Sequence, residues 1–221
     1  CDRGENREAS TLPFPVVGIG ASAGGLEAFM ELLESLPPDT GMAFVLVQHL
    51  DPHHESALAT ILSRATSMCV TEARDGTQVA PNRVYVIPPN VTLVIRGGAL
   101  RLTPRTEGPG RHMPIDSFLR SLATDQGSHA IAAILSGSAN DGSLGLSAIK
   151  AEGGITFAQD RTAKYQAMPR GAIATGHVDF VLPPRLIAAE LARIGSHPYL
   201  VDSPAAVADS PRGEPASESN L

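Results

Sequence analysis

Three residues able to do nucleophilic and acid–base chemistry each follow an apolar run in this sequence. Ser22 follows VVGIGA, His49 follows AFVLVQ, and Asp141 sits in the loop GSANDG after AIAAILS. A serine hydroxyl is a poor nucleophile until a base takes its proton. Histidine is the side chain whose pKa permits that near neutrality. A carboxylate behind the imidazole fixes its tautomer and steadies the imidazolium. Together these types are the inventory of a Ser-His-Asp triad, which geometry defines and chain order does not. The glycines of GIGASAGG, namely Gly20, Gly24 and Gly25, suit backbone shapes that turn a hydroxyl outward between a strand and a helix. Backbone N–H groups there and in the Gly137–Gly142 loop would form an oxyanion hole. One such donor is typically worth about 10²–10³ in rate.

Each residue has a plainer reading as well. Serine is a favoured helix N-cap, a histidine can close a strand as a satisfied polar residue, and Asp-Gly is a common turn pair. Two rival chemistries also compete for the same stretches. Gly18-x-Gly20-x-x-x-Gly24 after a strand resembles a dinucleotide turn. The second apolar run, however, ends in Gln48-His49 where that fold needs an acidic residue for the ribose, and no lysine follows the glycines as in a P-loop. His49, Asp51, His53, His54 and Glu55 are metal-ligand types, but their spacing fits no standard zinc signature and Pro52 breaks any helix that would align them.

The elements that must position these residues alternate along the chain. PVVGIG, MAFVLVQHL, RVYVIPPN, AIAAILSG, ITFAQ and VDFVLPP read as strands, and SMCV as a strand start with Cys69 a small core residue. GLEAFMELLESL, ESALATILSRAT, IDSFLRSLATDQ, SLGLSAIKAEG, PRGAIATG and PRLIAAELARIG read as helices. Strand alternating with helix predicts an α/β fold of three layers, a mostly parallel twisted sheet flanked by helices. Gly97-Gly98 between VTLVI and ALRLT predicts a β-hairpin insert. In such sheets ligands bind at the carboxyl ends of the strands, which is where Ser22, His49 and Asp141 all fall.

Composition bounds the rest. With 221 residues the chain can bury a core without staples. Aromatics are 4% and tryptophan is absent, so aliphatic residues must fill that core. A net charge of −6 offers no basic footprint for nucleic acid, and no apolar run is long enough for membrane insertion. Two cysteines give no disulfide framework, which points to a cytoplasmic protein. Residues 1–13 read as a disordered lead-in, 14–200 as the catalytic domain, and 201–221, rich in Pro, Ser and Ala, as a disordered tail or linker. The first residue is Cys1 and not Met, so a segment of a longer chain is expected.

VVGIGASAGG, FVLVQHL, RHMPIDSFLRSLA, ILSGSANDGSLG and AMPRGAI, in this order, resemble the catalytic domain of the chemotaxis protein-glutamate methylesterases (CheB). The resemblance covers residues 14–196. It implies an α/β serine hydrolase, without metal or cofactor, that removes glutamate γ-methyl esters from the cytoplasmic helices of methyl-accepting chemoreceptors and releases methanol. Many members also deamidate receptor glutamines. Carried over, the nucleophile falls on Ser22, the base on His49 and the acid on Asp141, with oxyanion donors at the backbone of His49 and Ser138. Ala23, Arg111, His112, Met113, Met168 and Pro169 match segments that border the family's cleft. The chain departs from the family at Ala23, commonly Thr, and at Ser138-Ala139 in a loop that usually reads GMGNDG. HLDPHHES and APNRVYVIPPN are similar to members fused to a receptor methyltransferase domain, so a fused partner is expected. The alternative is a catalytically degenerate binding or regulatory module of a fused signalling protein.

Overall fold

The computed structural model describes residues 11–48, 57–105, 113–138 and 140–196. Seven strands form the main sheet: β1 (Val16–Ala21), β2 (Ala43–Gln48), β3 (Cys69–Glu72), β4 (Arg83–Val86), β7 (Ala130–Ile134), β8 (Ile155–Gln159) and β9 (Phe180–Leu182). Two further strands, β5 (Val91–Arg96) and β6 (Ala99–Pro104), form a separate antiparallel hairpin. The helices are α1 (Gly25–Ser35), α2 (Leu58–Leu62), α3 (Pro114–Gln126), α4 (Ser143–Ala151), α5 (Ala167–Ala174) and α6 (Pro184–Gly195). The main sheet runs in the order β3-β4-β2-β1-β7-β8-β9, every neighbouring pair parallel. The chain thus builds one side of the sheet from β1, placing β4 between β2 and the edge strand β3, and later winds outward from β7 on the other side. The seam between β1 and β7 is the topological switch point, where open α/β sheets bind their ligands.

Alternation along β1 divides the two core layers. Val17, Ile19 and Ala21 face α1, α2 and α6, packed with Phe29, Leu32, Phe44 and Leu191. Val16 faces the other side, with α3, α4, α5 and the hairpin, around Phe118, Leu119, Leu122 and Leu146. On that second face β1 carries glycine, because α3 lies directly on the strand. A Cβ on Gly18 would come 2.6 Å from Leu119 Cδ2, and one on Gly20 would come 2.4 Å from Ile115 Cγ2.

The hairpin forms as its Gly-Gly pair predicts: Gly97 and Gly98 have φ of 58° and 69°, the left-handed pair that a tight turn between twisted strands requires. Asp125 of α3 takes the N–H of both glycines, so the insert is buttoned to the helix beneath it. Three expectations need correction. Leu12, read as lead-in, donates its N–H to Gln126 Oε1 at 3.0 Å and packs against the second core layer, because an apolar side chain there finds the hairpin turn to cover. Cys69 is a strand start, but on the edge strand β3, where it is exposed and carries a free thiol. Among the described residues the helix read over ESALATILSRAT is only the short α2.

Candidate active site

Ser22 lies immediately past β1, at the switch-point seam. The plainer reading as helix cap does not hold. The N-cap of α1 is Gly24, at φ 69°, and no side chain caps that helix. The turn is held by its main chain. Ser22 N–H donates to Ser136 C=O at 2.9 Å, and Ser22 C=O accepts from Gly25 N–H at 2.9 Å and from Gln48 Nε2 at 3.4 Å. Among the described residues its hydroxyl has no hydrogen-bond partner. Of the three glycines around it only Gly24 uses positive φ. Gly20 and Gly25 serve instead for close approach, Gly20 to Ile115 and Gly25 to Ala21, whose Cβ would be 2.7 Å from an added one.

Asp141 arrives at the same edge from the β7–α4 loop. The two loops share a packing contact: added Cβ atoms on Gly20 and on Gly142 would both strike Ile115 Cγ2 and Ile134 Cδ1. Asp141 is 1% exposed. Its Oδ2 accepts Ile115 N–H at 3.0 Å and its Oδ1 accepts Asp116 N–H at 2.9 Å. The N-terminal amides of α3 therefore orient this carboxylate. Asp116 returns the arrangement by accepting Gly145 N–H at 2.8 Å from the first turn of α4. Burial pushes the Asp116 carboxyl above the usual range, with Gly145 N–H pulling it back and the Asp141 charge adding to the rise. Each aspartate thus ties down the start of the other's helix. Nothing local in the sequence around Asp116 marks its partner, which lies 29 residues further on.

The donors available to a developing oxyanion can be sorted by what they already bind. Ser22 N–H and Gly137 N–H are spent, on Ser136 C=O and Tyr165 C=O. Ser138 N–H finds no acceptor among the described residues, and Ser138 is exposed. Met168 is 1% exposed and underlies the loop, its Sδ 2.0 Å from where a Cβ on Gly137 would stand. It supports the loop from beneath and does not line an open surface. Met113 is half-buried and precedes α3, its C=O accepting from Ser117. Pro169 lines a groove of about 480 Å³ with Arg161, Arg170, Ile173 and Val181. Ala23 is half-buried, and its C=O accepts the Ser136 hydroxyl at 2.9 Å. His49, Arg111 and His112 lie outside the described residues, as do Asp51, His53, His54 and Glu55 of the rival metal reading. Among the described residues no cluster of His, Cys, Asp and Glu could hold a metal, and no helix is long and apolar enough to cross a membrane.

Comparison with known proteins bears on this arrangement. Residues 17–191 match the family model described as CheB methylesterase. A protein-glutamate methylesterase/protein-glutamine glutaminase of Rhodospirillum rubrum is 38% identical over 198 residues, covering 87% of this chain and 54% of that protein. Another, from Anaeromyxobacter dehalogenans, is 41% identical over 184 residues, covering 81% of this chain and 51% of that protein. The chain spans about half the length of these curated relatives. Among solved structures, the CheB methylesterase catalytic domain of Thermotoga maritima superposes with a TM-score of 0.75 at 31% identity, covering 82% of this chain and 98% of that one.

Proposed function

The chain belongs to the CheB methylesterase family, and from that premise we propose that it is a serine hydrolase of glutamate γ-methyl esters on the cytoplasmic helices of chemoreceptors. His49 takes the Ser22 proton as Ser22 Oγ attacks the ester carbonyl. The carbonyl oxygen gains negative charge, to be met by the N–H groups of Ser138 and His49. The tetrahedral intermediate collapses, the bond to the methoxy oxygen breaks, and methanol leaves with the proton from His49. Water, deprotonated by the same imidazole, then cleaves the acyl-enzyme to free glutamate and the serine hydroxyl. Asp141 keeps the imidazole in the tautomer that this cycle needs.

The observation that supports the reading is Ser22 itself: a hydroxyl at the switch point with no hydrogen-bond partner among the described residues, displaced from the helix cap by Gly24 and flanked by the loop of a buried, oriented aspartate. The relatives' names include glutaminase, and the same residues would hydrolyse a receptor glutamine with ammonia as leaving group. Ser22→Ala should abolish methanol release from a methylated receptor fragment while leaving the circular dichroism spectrum unchanged. Retained release would remove Ser22 from the mechanism. Ammonia release from an unmodified receptor fragment, lost in the same variant, would add the second activity.

A further inference from the structure

Ser136 has no assigned role, yet it makes two hydrogen bonds to the nucleophile turn, one through its C=O and one through its hydroxyl. It is 1% exposed and lies two residues past the end of β7, across the seam from Ser22. Its C=O accepts Ser22 N–H at 2.9 Å, and its hydroxyl donates to Ala23 C=O at 2.9 Å. The same hydroxyl oxygen accepts Tyr165 N–H at 3.0 Å. Tyr165 C=O also stands 3.5 Å from it, but a hydroxyl has one proton, and Ala23 C=O is the nearer acceptor. Ser136 is itself fixed from β8, its N–H donating to Gln159 Oε1 at 2.9 Å. The turn comes this close because residue 24 lacks a side chain: a Cβ there would stand 2.8 Å from Ser136 Oγ.

We propose that Ser136 is the positioning residue of the nucleophile turn, holding the main chain at Ser22 and Ala23 so that the Ser22 hydroxyl keeps one aim. The proposal rests on Ser22 being the nucleophile. Its physical content is specific. The carbonyl of residue 136 would hold Ser22 N–H whatever its side chain, but only a short hydroxyl can at once donate to Ala23 C=O and accept from Tyr165 N–H. The loop carrying Tyr165 and the turn carrying Ser22 are thereby locked to each other through one oxygen atom. Without it Ala23 C=O and Tyr165 N–H lose this shared tie, and a misplacement of about 1 Å can cost about 10²-fold in rate.

The test is the rate at which a fluorophosphonate probe labels the full chain, well below the melting temperature. Ser136→Ala should lower the maximal labelling rate by about tenfold or more, with half-saturating probe concentration unchanged within about twofold. Asp179→Asn, which breaks a part-buried hydrogen-bond cluster on the far side of β8, serves as the control: it should lower Tm at least as much and leave labelling within about twofold. Labelling of Ser136→Ala within about twofold of wild type overturns the proposal, as does an equal loss in the control. If Ser136→Ala does not fold, the same outcomes are read from Ser136→Cys, whose thiol fits but is a weak hydrogen-bond partner. Ser22→Ala separates the premise: labelling that survives there removes the nucleophile, whatever residue 136 does.

Discussion

At the residue scale the site is built from main-chain atoms more than from side chains. Ser22 is aimed by bonds to its own N–H and C=O, and Asp141 by two helix amides. This gives Asp141 two duties. Asp141→Asn would place an NH₂ against one of those amides, donor facing donor, in a site where the carboxylate is 1% exposed. Leaving a buried donor unsatisfied costs about 1–3 kcal/mol. We therefore expect Asp141→Asn to lower both Tm and kcat, the latter by as much as about 10⁴ if the protease precedent transfers. A stable variant with kcat reduced less than about tenfold would make Asp141 a turn residue in this chain. The residue type and loop were legible in the sequence. The two amides were not, because they come from a segment 25 and 26 residues earlier.

At the element scale the decisive contact is α3 on β1. Gly18 and Gly20 look like a nucleotide fingerprint in one dimension. In three dimensions their missing side chains are the space that Leu119, Phe118 and Ile115 occupy. Because α3 also supplies the amides for Asp141, its seating couples packing to the site. Gly20→Ala should cost about 1–3 kcal/mol through overpacking and should lower activity together with Tm. Adding Ile115→Ala removes the side chain that the new methyl strikes. The double variant should then be more stable than the two single losses predict by summation, as read by denaturant melts. Strict additivity would mean that the helix does not sit where Gly20 allows it. The hairpin is the contrasting case: its Gly97-Gly98 turn was readable locally, whereas its clasp by Asp125 depends on a helix that the sequence places far away.

At the scale of the molecule, two carboxylates, Asp116 and Asp179, set opposing responses to pH. Burial works against the charge of Asp179, but the Lys150 ammonium at 2.8 Å, with the N–H and hydroxyl of Thr156, outweighs it and holds its carboxyl below the usual range. A lowered pKa contributes stability that is present above the ordinary carboxylate pKa and is lost as pH falls through the lowered one. Asp116, raised, has the reverse sign: its contribution is present below the ordinary value and lost as pH rises through the folded one. Wild type should therefore melt above Asp179→Asn near neutrality and converge with it in acid. A gap that stays constant across that range would show that the Asp179 cluster does not hold a charge.

The sequence by itself determined the alternation of strand and helix, the hairpin turn and the residue types at three strand ends, because periodicity and turn chemistry are local. It also carried enough ordered motifs for a family resemblance that the family match over residues 17–191 bears out. Only the tertiary structure decided that β1 and β7 are neighbours. That adjacency places Ser136 against the Ser22 turn, gives Asp141 the start of α3, and turns Gly18 and Gly20 into packing space. The reason is physical: each of these roles is a contact between segments distant along the chain, and no local preference of either segment encodes the other's position.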